Sequence, residues 1–306
     1  MIDLLTKDLI LGTLFILLWL VVLYQEKLTL KENLKSFHTV YLFTPTTSIL
    51  LGLFLSKIVQ NHGELIGFTL IILTFVLYKL FPPQKKEILF FNIIMGAIGI
   101  YFIFFATAKP ITNSMEGTLQ TDSSYITFTK AYGIRNNATH RYLLTWNTPE
   151  RGDIVSFYLP KDTTNPYLQY IIKNDGKDFE EGKVSMLKRI VATPYDSFFL
   201  KDGRFYLHPQ EGNEYIKTHY KGYTTITKNN QIFIKDPYLK TNPKIQFIDD
   251  KDYREFHKLF PQVYDTNITT LKDNQYFVMG DNRNTSFDSR MFGPIEFQWI
   301  FQKLLY

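Results

Sequence analysis

The first 108 residues of this chain are dominated by long hydrophobic runs, which are separated by short polar segments. The first run, Leu4–Tyr24, has about the length of one bilayer span. No small-x-small cleavage pattern follows it, so it predicts a retained span rather than a signal peptide. Three more runs follow, at Ser36–Ser56, Leu65–Tyr78 and Ile88–Ala108. The pattern predicts a membrane anchor over residues 1–108 with about four transmembrane helices.

Lysines between these runs predict the orientation of the anchor. Two of the loops contain three lysines each, namely Lys27, Lys31 and Lys35 in one and Lys79, Lys85 and Lys86 in the other. The positive-inside rule places both loops in the cytoplasm, so the N-terminus and everything after Ala108 lie outside. An alternative treats the second or third run as a buried or interfacial helix. If both were lost, two spans would remain and the later residues would still be outside.

After residue 108 the pattern changes to short runs of β-branched and aromatic residues, which predict strands. Six runs carry this signal: Tyr125–Phe128, Asp153–Tyr158, Ser197–Leu200, Arg204–Leu207, Gln231–Ile234 and Tyr276–Met279. Lys201–Arg204 predicts a hairpin turn between two of them. Many short strands with few helices predict a mostly antiparallel β domain over residues 109–306.

Three segments of this second part do not fit the strand pattern. Asp250–Leu259 is the best helix candidate, and Glu296–Leu305 suits either a short helix or a strand. The polar stretch Lys161–Lys183 predicts a loop or an inserted hairpin. Residues 208–272 predict an insertion on the core domain.

Composition removes several classes of function. The chain of 306 residues has no cysteine, which excludes disulfides, thiolate catalysis and cysteine-based metal sites. Its net charge is +5, but the lysines are scattered and no block of five like charges occurs. A nucleic-acid partner is therefore not expected, whereas the hydrophobic runs predict contact with a lipid bilayer.

Ser114 follows the last hydrophobic run closely and is a candidate nucleophile. A serine hydroxyl needs a base, and the histidines stand in no recognisable motif: His38, His62, His140, His208, His219 and His257. The chain has no G-x-S-x-G or H-E-x-x-H motif. A histidine triad assembled in space stays open as an alternative.

Lys188 is a second candidate for the base. It begins a strand-like run in which alternation sends Lys188 and Ile190 inward and Arg189 outward. Desolvation of an inward lysine lowers its pKa and gives a neutral amine near pH 7. The alternative is an ordinary surface lysine at the start of a strand.

Gly280–Gly293 is the most distinctive stretch, with acids, arginines, asparagines and serines close together after a predicted strand. Its arginines argue against a calcium site. We expect Asp–Arg pairs to fasten this loop beside a site, and neither a metal nor a cofactor is implied.

Four blocks in this order resemble bacterial type I signal peptidases, a family of membrane-bound serine–lysine peptidases. The blocks are Ser114–Leu119, Arg151–Val155, Lys188–Asp196 and Gly280–Arg290. The resemblance covers Lys109–Ile295. It implies N-terminal transmembrane helices followed by a mostly antiparallel β catalytic domain of signal-peptidase type.

The resemblance also implies roles for individual residues. Ser114 would be the nucleophile and Lys188 the general base, oriented by a hydrogen bond from Ser286. The oxyanion would be bound by the Ser114 backbone N–H and the hydroxyl of Thr112, where the family usually has serine. Four charged residues would support the site structurally: Asp281, Arg283, Asp288 and Arg290.

Several residues depart from the family pattern. Gly117 stands where proline is usual, and Tyr195 stands where glycine is common, so the loop around Tyr195 is expected to differ. Further departures are Ile111, Asn113 and Ala192. About four spans would also exceed the one or two of well-known members.

The resemblance implies an endopeptidase of the bacterial cytoplasmic membrane, with its catalytic domain on the outer side and preproteins carrying signal peptides as substrates. One alternative is a related peptidase dedicated to pilus or conjugation substrates. Another is an inactive relative that acts as a membrane-anchored binding protein. The sequence does not predict an oligomeric state.

Overall fold

The computed structural model describes residues 97–137, 139–159, 185–241 and 264–305, all within one compact unit formed by residues 63–306. Most of the regular structure is β. The strands are β1 Phe105–Ala108, β2 Tyr125–Phe128, β3 Gly133–Asn136, β4 Arg141–Thr145, β5 Ile154–Tyr158, β6 Ser185–Ala192, β7 Ser197–Lys201, β8 Arg204–His208, β9 Thr225–Lys228, β10 Gln231–Lys235, β11 Thr269–Thr270, β12 Gln275–Met279, β13 Ile295–Glu296 and β14 Ile300–Leu304.

The strands form a seven-stranded sheet in the order β1-β2-β14-β5-β6-β12-β13 and a five-stranded sheet in the order β11-β7-β8-β10-β9. β3 and β4 form a separate two-stranded ribbon. The strand pairs in the described residues are all antiparallel. The mostly antiparallel β domain predicted from the sequence is therefore confirmed.

The helices in the described part of the chain are short. Besides the helical residues 97–104, they are α1 Gly212–His219, α2 Pro237–Thr241 and α3 Ser289–Phe292, with 3₁₀ turns η1 Asn113–Met115 and η2 Phe297–Trp299. The predicted helix Asp250–Leu259 and the predicted loop Lys161–Lys183 lie outside the described residues. The catalytic residues expected from the sequence thus have to be placed by strands, loops and single turns.

All six predicted strands are present, with bounds that differ by at most one residue at each end. The predicted hairpin turn joins β7 to β8, and its central residues Asp202 and Gly203 both have positive φ, 50° and 68°. Two positive φ angles suit a two-residue turn between antiparallel strands, because this turn follows the twist of the strands. The hairpin prediction is confirmed.

The segment Glu296–Leu305 contains both regular structures that its sequence allowed, a 3₁₀ turn followed by a strand. β14 is not a loose tail, because it lies inside the large sheet between β2 and β5. Ile300 and Leu304 are buried there. The last strand along the described chain therefore completes the middle of the sheet.

The fourth predicted span, Ile88–Ala108, extends four residues beyond the end of the helix. Residues 97–104 are helical, but Phe105–Ala108 form β1, which pairs with β2. Hydrophobicity alone cannot separate the two, because β1 is built from the same apolar residue types as a span. No helix in the described residues is both long enough and apolar enough to cross a membrane; the three earlier predicted spans lie outside those residues.

Two apolar clusters meet along β6 and β12. One cluster contains Val155, Phe157 and Ile190 and belongs to the large sheet. The other contains Val191 together with Phe205 and joins the large sheet to the five-stranded one. Because cores cover both faces of β6, its residues from Lys188 to Ala192 are all buried.

Part of the predicted insertion at 208–272 belongs to the five-stranded sheet. β9, β10 and β11 come from this segment, and they pair around the hairpin of β7 and β8. The carbonyl of Phe205 in β8 accepts a hydrogen bond from the N–H of Asp236 at 2.9 Å, which fixes the end of β10. The described part of the insertion is thus built into the fold of the domain.

Candidate active site

Ser114 lies in the single 3₁₀ turn η1, with 6% of its surface exposed. The next residue, Met115, is 1% exposed and packs in an apolar cluster with Leu119, Ile154 and Leu304. Met115 therefore lies in the core of the domain. This buried neighbour fixes the direction of the Ser114 side chain.

Lys188 meets Ser114 directly. The distance from Lys188 Nζ to Ser114 Oγ is 2.7 Å, although 74 residues separate the two along the chain. Lys188 lies on β6 opposite Val155 of β5, and η1 also packs against β6. Strand β6 therefore positions the amine of Lys188 beside the hydroxyl of Ser114 in η1.

Lys188 is 3% exposed, as expected for an inward-facing lysine. Burial lowers its pKa from 10.5 to about 8, although the carboxylates of Asp288 and Asp281 work to raise it and Arg290 works to lower it. A charged ammonium loses hydration in such a place, so a larger fraction of this amine is neutral near pH 7 than in an ordinary lysine. A neutral amine can accept the proton of a serine hydroxyl.

The Thr112 hydroxyl also points at the candidate nucleophile. Its Oγ1 donates a hydrogen bond of 3.3 Å to Ser114 Oγ, and Thr112 is itself the extended residue that precedes η1. Thr112 is exposed, so this hydroxyl can turn toward a bound substrate. The structure therefore brings three of the predicted groups, Thr112, Ser114 and Lys188, to one place.

Ser286 lies in the same region, but the expected hydrogen bond to the lysine amine is not formed. Lys188 Nζ donates instead to the carbonyl of Leu187 at 3.2 Å. The Ser286 hydroxyl is buried and has no hydrogen-bond partner within the described residues. The local carbonyl takes the place that the resemblance gave to Ser286, whose orienting role therefore stays a prediction.

Gly280 packs the Ser286 loop directly against the nucleophile. A Cβ at this position would lie 2.5 Å from the carbonyl oxygen of Ser114 and still closer to Ser286 Oγ. Real Cβ atoms do not approach other atoms so closely, so only glycine fits without a shift. The N–H of Asn282 donates to that same Ser114 carbonyl at 3.1 Å.

Asp281 forms a buried ion pair with Arg189. Arg189 Nε lies 2.9 Å from Oδ1 and Nη2 lies 2.7 Å from Oδ2, so the contact is bidentate. The prediction that Arg189 faces outward is wrong: Arg189 is 5% exposed. Strand alternation gives the side correctly, but here that side is covered by the Gly280–Arg290 loop rather than by water.

Arg283 pairs with a residue that the sequence did not suggest. Its Nε lies 3.0 Å from Asp236 Oδ2, and both side chains are almost fully buried. Asp236 follows β10, within the predicted insertion and 47 residues before Arg283. Asp236 is far from Arg283 in the sequence and is not part of a recognisable motif, so only the structure reveals the pair.

Asp288 and Arg290 form a close ion pair within the loop itself. Arg290 Nε lies 2.9 Å from Asp288 Oδ1, and the N–H of Gly280 donates to Asp288 Oδ2 at 3.0 Å. Burial works to raise the pKa of the Asp288 carboxyl, but Arg290 and that N–H hold it below its ordinary value. The expected Asp–Arg fasteners are therefore present.

The departures from the family pattern have local explanations. Gly117 has φ 91°, a conformation that proline cannot adopt because its ring fixes φ near −65°. Tyr195 has φ 68° and is 56% exposed, so its ring extends into solvent. A left-handed backbone at this turn explains why glycine is common there.

The described residues contain no group of three or more histidine and acidic side chains that could hold a metal ion. The acids of the site are already engaged by arginines, as in the Asp281–Arg189 pair. The arrangement around Ser114 is instead that of a hydroxyl beside a desolvated amine, which is suited to acyl transfer.

Comparison with known proteins agrees with this geometry. The family model described as signal peptidase, peptidase S26, matches residues 84–304. Signal peptidase I of Helicobacter pylori (strain ATCC 700392 / 26695) is 26% identical over 245 residues, which cover 68% of this chain and 76% of the relative. Signal peptidase I of Buchnera aphidicola subsp. Baizongia pistaciae is 26% identical over 212 residues, covering 64% of this chain and 66% of the relative.

A solved signal peptidase I from Enterococcus faecalis V583 is 18% identical, with a TM-score of 0.27, and covers 53% of this chain and 100% of that one. That similarity is too low to bear on the fold. The family match spans both segments that meet at the site, the turn around Ser114 and the loop around Ser286. This chain belongs to the signal peptidase family, peptidase S26.

Proposed function

We propose that this protein is a serine endopeptidase that removes N-terminal signal peptides from exported preproteins. The observation that carries the proposal is the 2.7 Å contact between Ser114 Oγ and the buried amine of Lys188. Membership of the signal peptidase family supports the reaction and the class of substrate. Both curated relatives described above are signal peptidase I enzymes by name.

In the first step of the proposed mechanism, Ser114 Oγ attacks the scissile carbonyl of the preprotein. Lys188 accepts the hydroxyl proton as the new C–O bond forms. Burial favours the neutral amine, so it can act as a base at a pH where an ordinary lysine is charged. No histidine is needed for this step.

The tetrahedral oxyanion needs hydrogen-bond donors that are already in place. The backbone N–H of Ser114 and the hydroxyl of Thr112 are the proposed donors, and the Thr112 hydroxyl already points at Ser114 Oγ. Lys188 then returns its proton to the leaving amine. Water hydrolyses the acyl-enzyme, again with Lys188 as the base, and Ser114 is regenerated.

The proposed location is the bacterial cytoplasmic membrane, with several N-terminal spans and the catalytic domain on the outer side. The hydrophobic runs before residue 97 and the lysines between them support this arrangement. A signal peptide also has an apolar segment, so a membrane-anchored peptidase would meet the cleavage site where it emerges. Reporter fusions after Lys109 should behave as external, and a cytoplasmic signal there would contradict the topology.

The family resemblance supports a preference for small residues before the cleaved bond, in an Ala-x-Ala pattern. The test is cleavage of such a preprotein by the detergent-solubilised full chain, compared with Ser114→Ala. Ser124→Ala is the matched control, because Ser124 is an exposed serine in the same segment. The wild type and the control should cleave, and Ser114→Ala should not.

Other outcomes would point elsewhere. Cleavage by Ser114→Ala would remove Ser114 from the mechanism. Folded wild-type protein that cleaves no Ala-x-Ala preprotein would contradict the proposed general substrate class. It would favour a dedicated peptidase for pilus or conjugation substrates, or an inactive binding protein.

A further inference from the structure

Asp236 occupies a fixed corner of the five-stranded sheet, between β10 and α2, and is 3% exposed. Its N–H donates to the carbonyl of Phe205 at 2.9 Å, and its own carbonyl accepts from Leu239 at 3.2 Å. Two residues after Asp236, the Tyr238 hydroxyl donates a hydrogen bond to the carbonyl of Val191 on β6 at 3.2 Å. The corner is therefore tied both to its own sheet and to the strand that carries Lys188.

Both carboxylate oxygens of Asp236 face Arg283. Nε lies 3.0 Å from Oδ2 and Nη2 lies 3.3 Å from Oδ1. The remaining guanidinium nitrogen, Nη1, donates to the carbonyl of Gly280. Arg283 is 1% exposed, so these buried partners, rather than water, stabilise its positive charge.

Gly280 is the residue that touches the nucleophile turn. Its Cα leaves no room for a Cβ between Ser286 Oγ and the carbonyl of Ser114. Asn282, next to Arg283, donates its N–H to that same carbonyl. Contacts therefore run without a gap from Asp236 through Arg283 and Gly280 to Ser114.

We infer that Asp236 is a positioning residue for the peptidase reaction, which holds the Gly280–Ser286 loop against Ser114 through Arg283. This inference rests on the proposed function. It gives a role to the segment at 208–272, which the sequence describes only as an insertion. Without Asp236, Arg283 would be a buried cation whose one remaining acidic neighbour among the described residues is Asp281, at 3.8 Å, and Asp281 already pairs with Arg189.

The test substitution is Asp236→Asn, which keeps the shape and removes the charge. Asp196→Asn is the matched control. Asp196 is 0% exposed and forms a bidentate pair with Arg151 at 2.7 Å, but that pair has no bond to the Gly280–Ser286 loop. Both variants lose a buried carboxylate that pairs with an arginine, so a general loss of stability should affect both.

The first readout is hydrogen exchange of the backbone amides over residues 280–286, measured where both variants are folded. We expect exchange there to rise at least about tenfold in Asp236→Asn and to stay near the wild-type rate in Asp196→Asn, because exchange reports local opening. Unchanged exchange in Asp236→Asn would overturn the inference.

The second readout is kinetic. A displacement of about 1 Å in a catalytic group can lower a rate about a hundredfold, so we expect kcat of Asp236→Asn to fall about ten- to a hundredfold, with KM within about threefold. Asp196→Asn, corrected for its folded fraction, should retain kcat within about threefold. Equal losses of kcat in the two variants would also overturn the inference.

The double substitution Asp236→Asn with Arg283→Gln separates stability from positioning. Removing both partners relieves the unpaired buried charge, so stability should recover relative to Asp236→Asn alone. The loop still lacks the ion pair between residues 236 and 283, so kcat should stay low. Recovery of kcat together with stability would show a merely structural role.

The proposed function can fail separately from this inference. If wild-type protein does not cleave the preprotein, the proposed function fails, while the exchange comparison still decides whether Asp236 holds the loop. If wild type cleaves and Asp236→Asn cleaves equally well, only the inference about Asp236 fails.

Discussion

Replacing Lys188 by methionine should abolish cleavage and, at neutral pH, stabilise the fold. The side chain is 3% exposed, and burial lowers its pKa from 10.5 to about 8. Each unit between the folded and unfolded pKa values corresponds to about 1.4 kcal/mol, so the protonated lysine destabilises the folded state by about 3 kcal/mol. Methionine has a similar length and carries no charge.

The pH dependence has a definite sign, because the pKa is lower in the folded state. Below about pH 8 the lysine is protonated in both states, and the folded protein bears the full cost. Between pH 8 and 10.5 the unfolded chain binds a proton that the folded chain lacks, so wild-type stability rises with pH. The advantage of Lys188→Met should therefore shrink by about 3 kcal/mol across this window.

Urea unfolding of the full chain in detergent, followed by tryptophan fluorescence at several pH values, measures this difference. Buried tyrosines such as Tyr132, whose pKa burial raises, are present in both proteins, so their contributions to the pH dependence cancel. Lys201→Met is the control, because Lys201 is exposed on β7. A difference between Lys188→Met and wild type that stays flat with pH would refute the claim that Lys188 is desolvated.

Four further outcomes are expected. The kcat/KM for cleavage should fall about tenfold per pH unit below pH 8 as Lys188 becomes protonated, and a flat profile from pH 5 to 9 would contradict an amine base. Gly280→Ala should lose about 1–3 kcal/mol in urea unfolding and most of its activity, because its Cβ would overlap the Ser114 carbonyl; wild-type kinetics would contradict that packing. Ser286→Ala should lower kcat more than it raises KM in steady-state kinetics, and an unchanged kcat would remove Ser286 from the site. Tyr195→Gly should unfold at the same urea concentration or higher, since φ 68° disfavours tyrosine; a marked loss of stability would show that the tyrosine ring packs productively.

Sequence patterns predicted the strands well because β-branched and aromatic runs keep their meaning inside an antiparallel sheet. The pairing of Lys188 with Ser114 followed from resemblance and from the burial expected of an inward lysine. The resemblance also named the loop whose Asp288 and Arg290 pair internally. What it could not give was the set of partners that lie in other elements.

Arg189 and Asp236 show why the rest was out of reach. Alternation assigns a residue to one face of a strand, but it does not say whether that face meets water or another element. Arg189 was assigned to solvent although a loop covers it. Asp236 is a single acid in a segment without a motif, and its contact with Arg283 depends on how two sheets come together.

The position of β14 in the sheet determines when the sheet can be completed during synthesis of the chain. Its strand, Ile300–Leu304, lies between β2 and β5, and β5 in turn pairs with the strand that carries Lys188. A nascent chain synthesised only as far as Trp299 leaves the facing edges of β2 and β5 unpaired, and Met115, next to Ser114, lacks its packing partner Leu304. Pairings between residues so far apart in sequence are slow to form. The sheet that holds Lys188 beside Ser114 therefore cannot be complete until β14 has been synthesised.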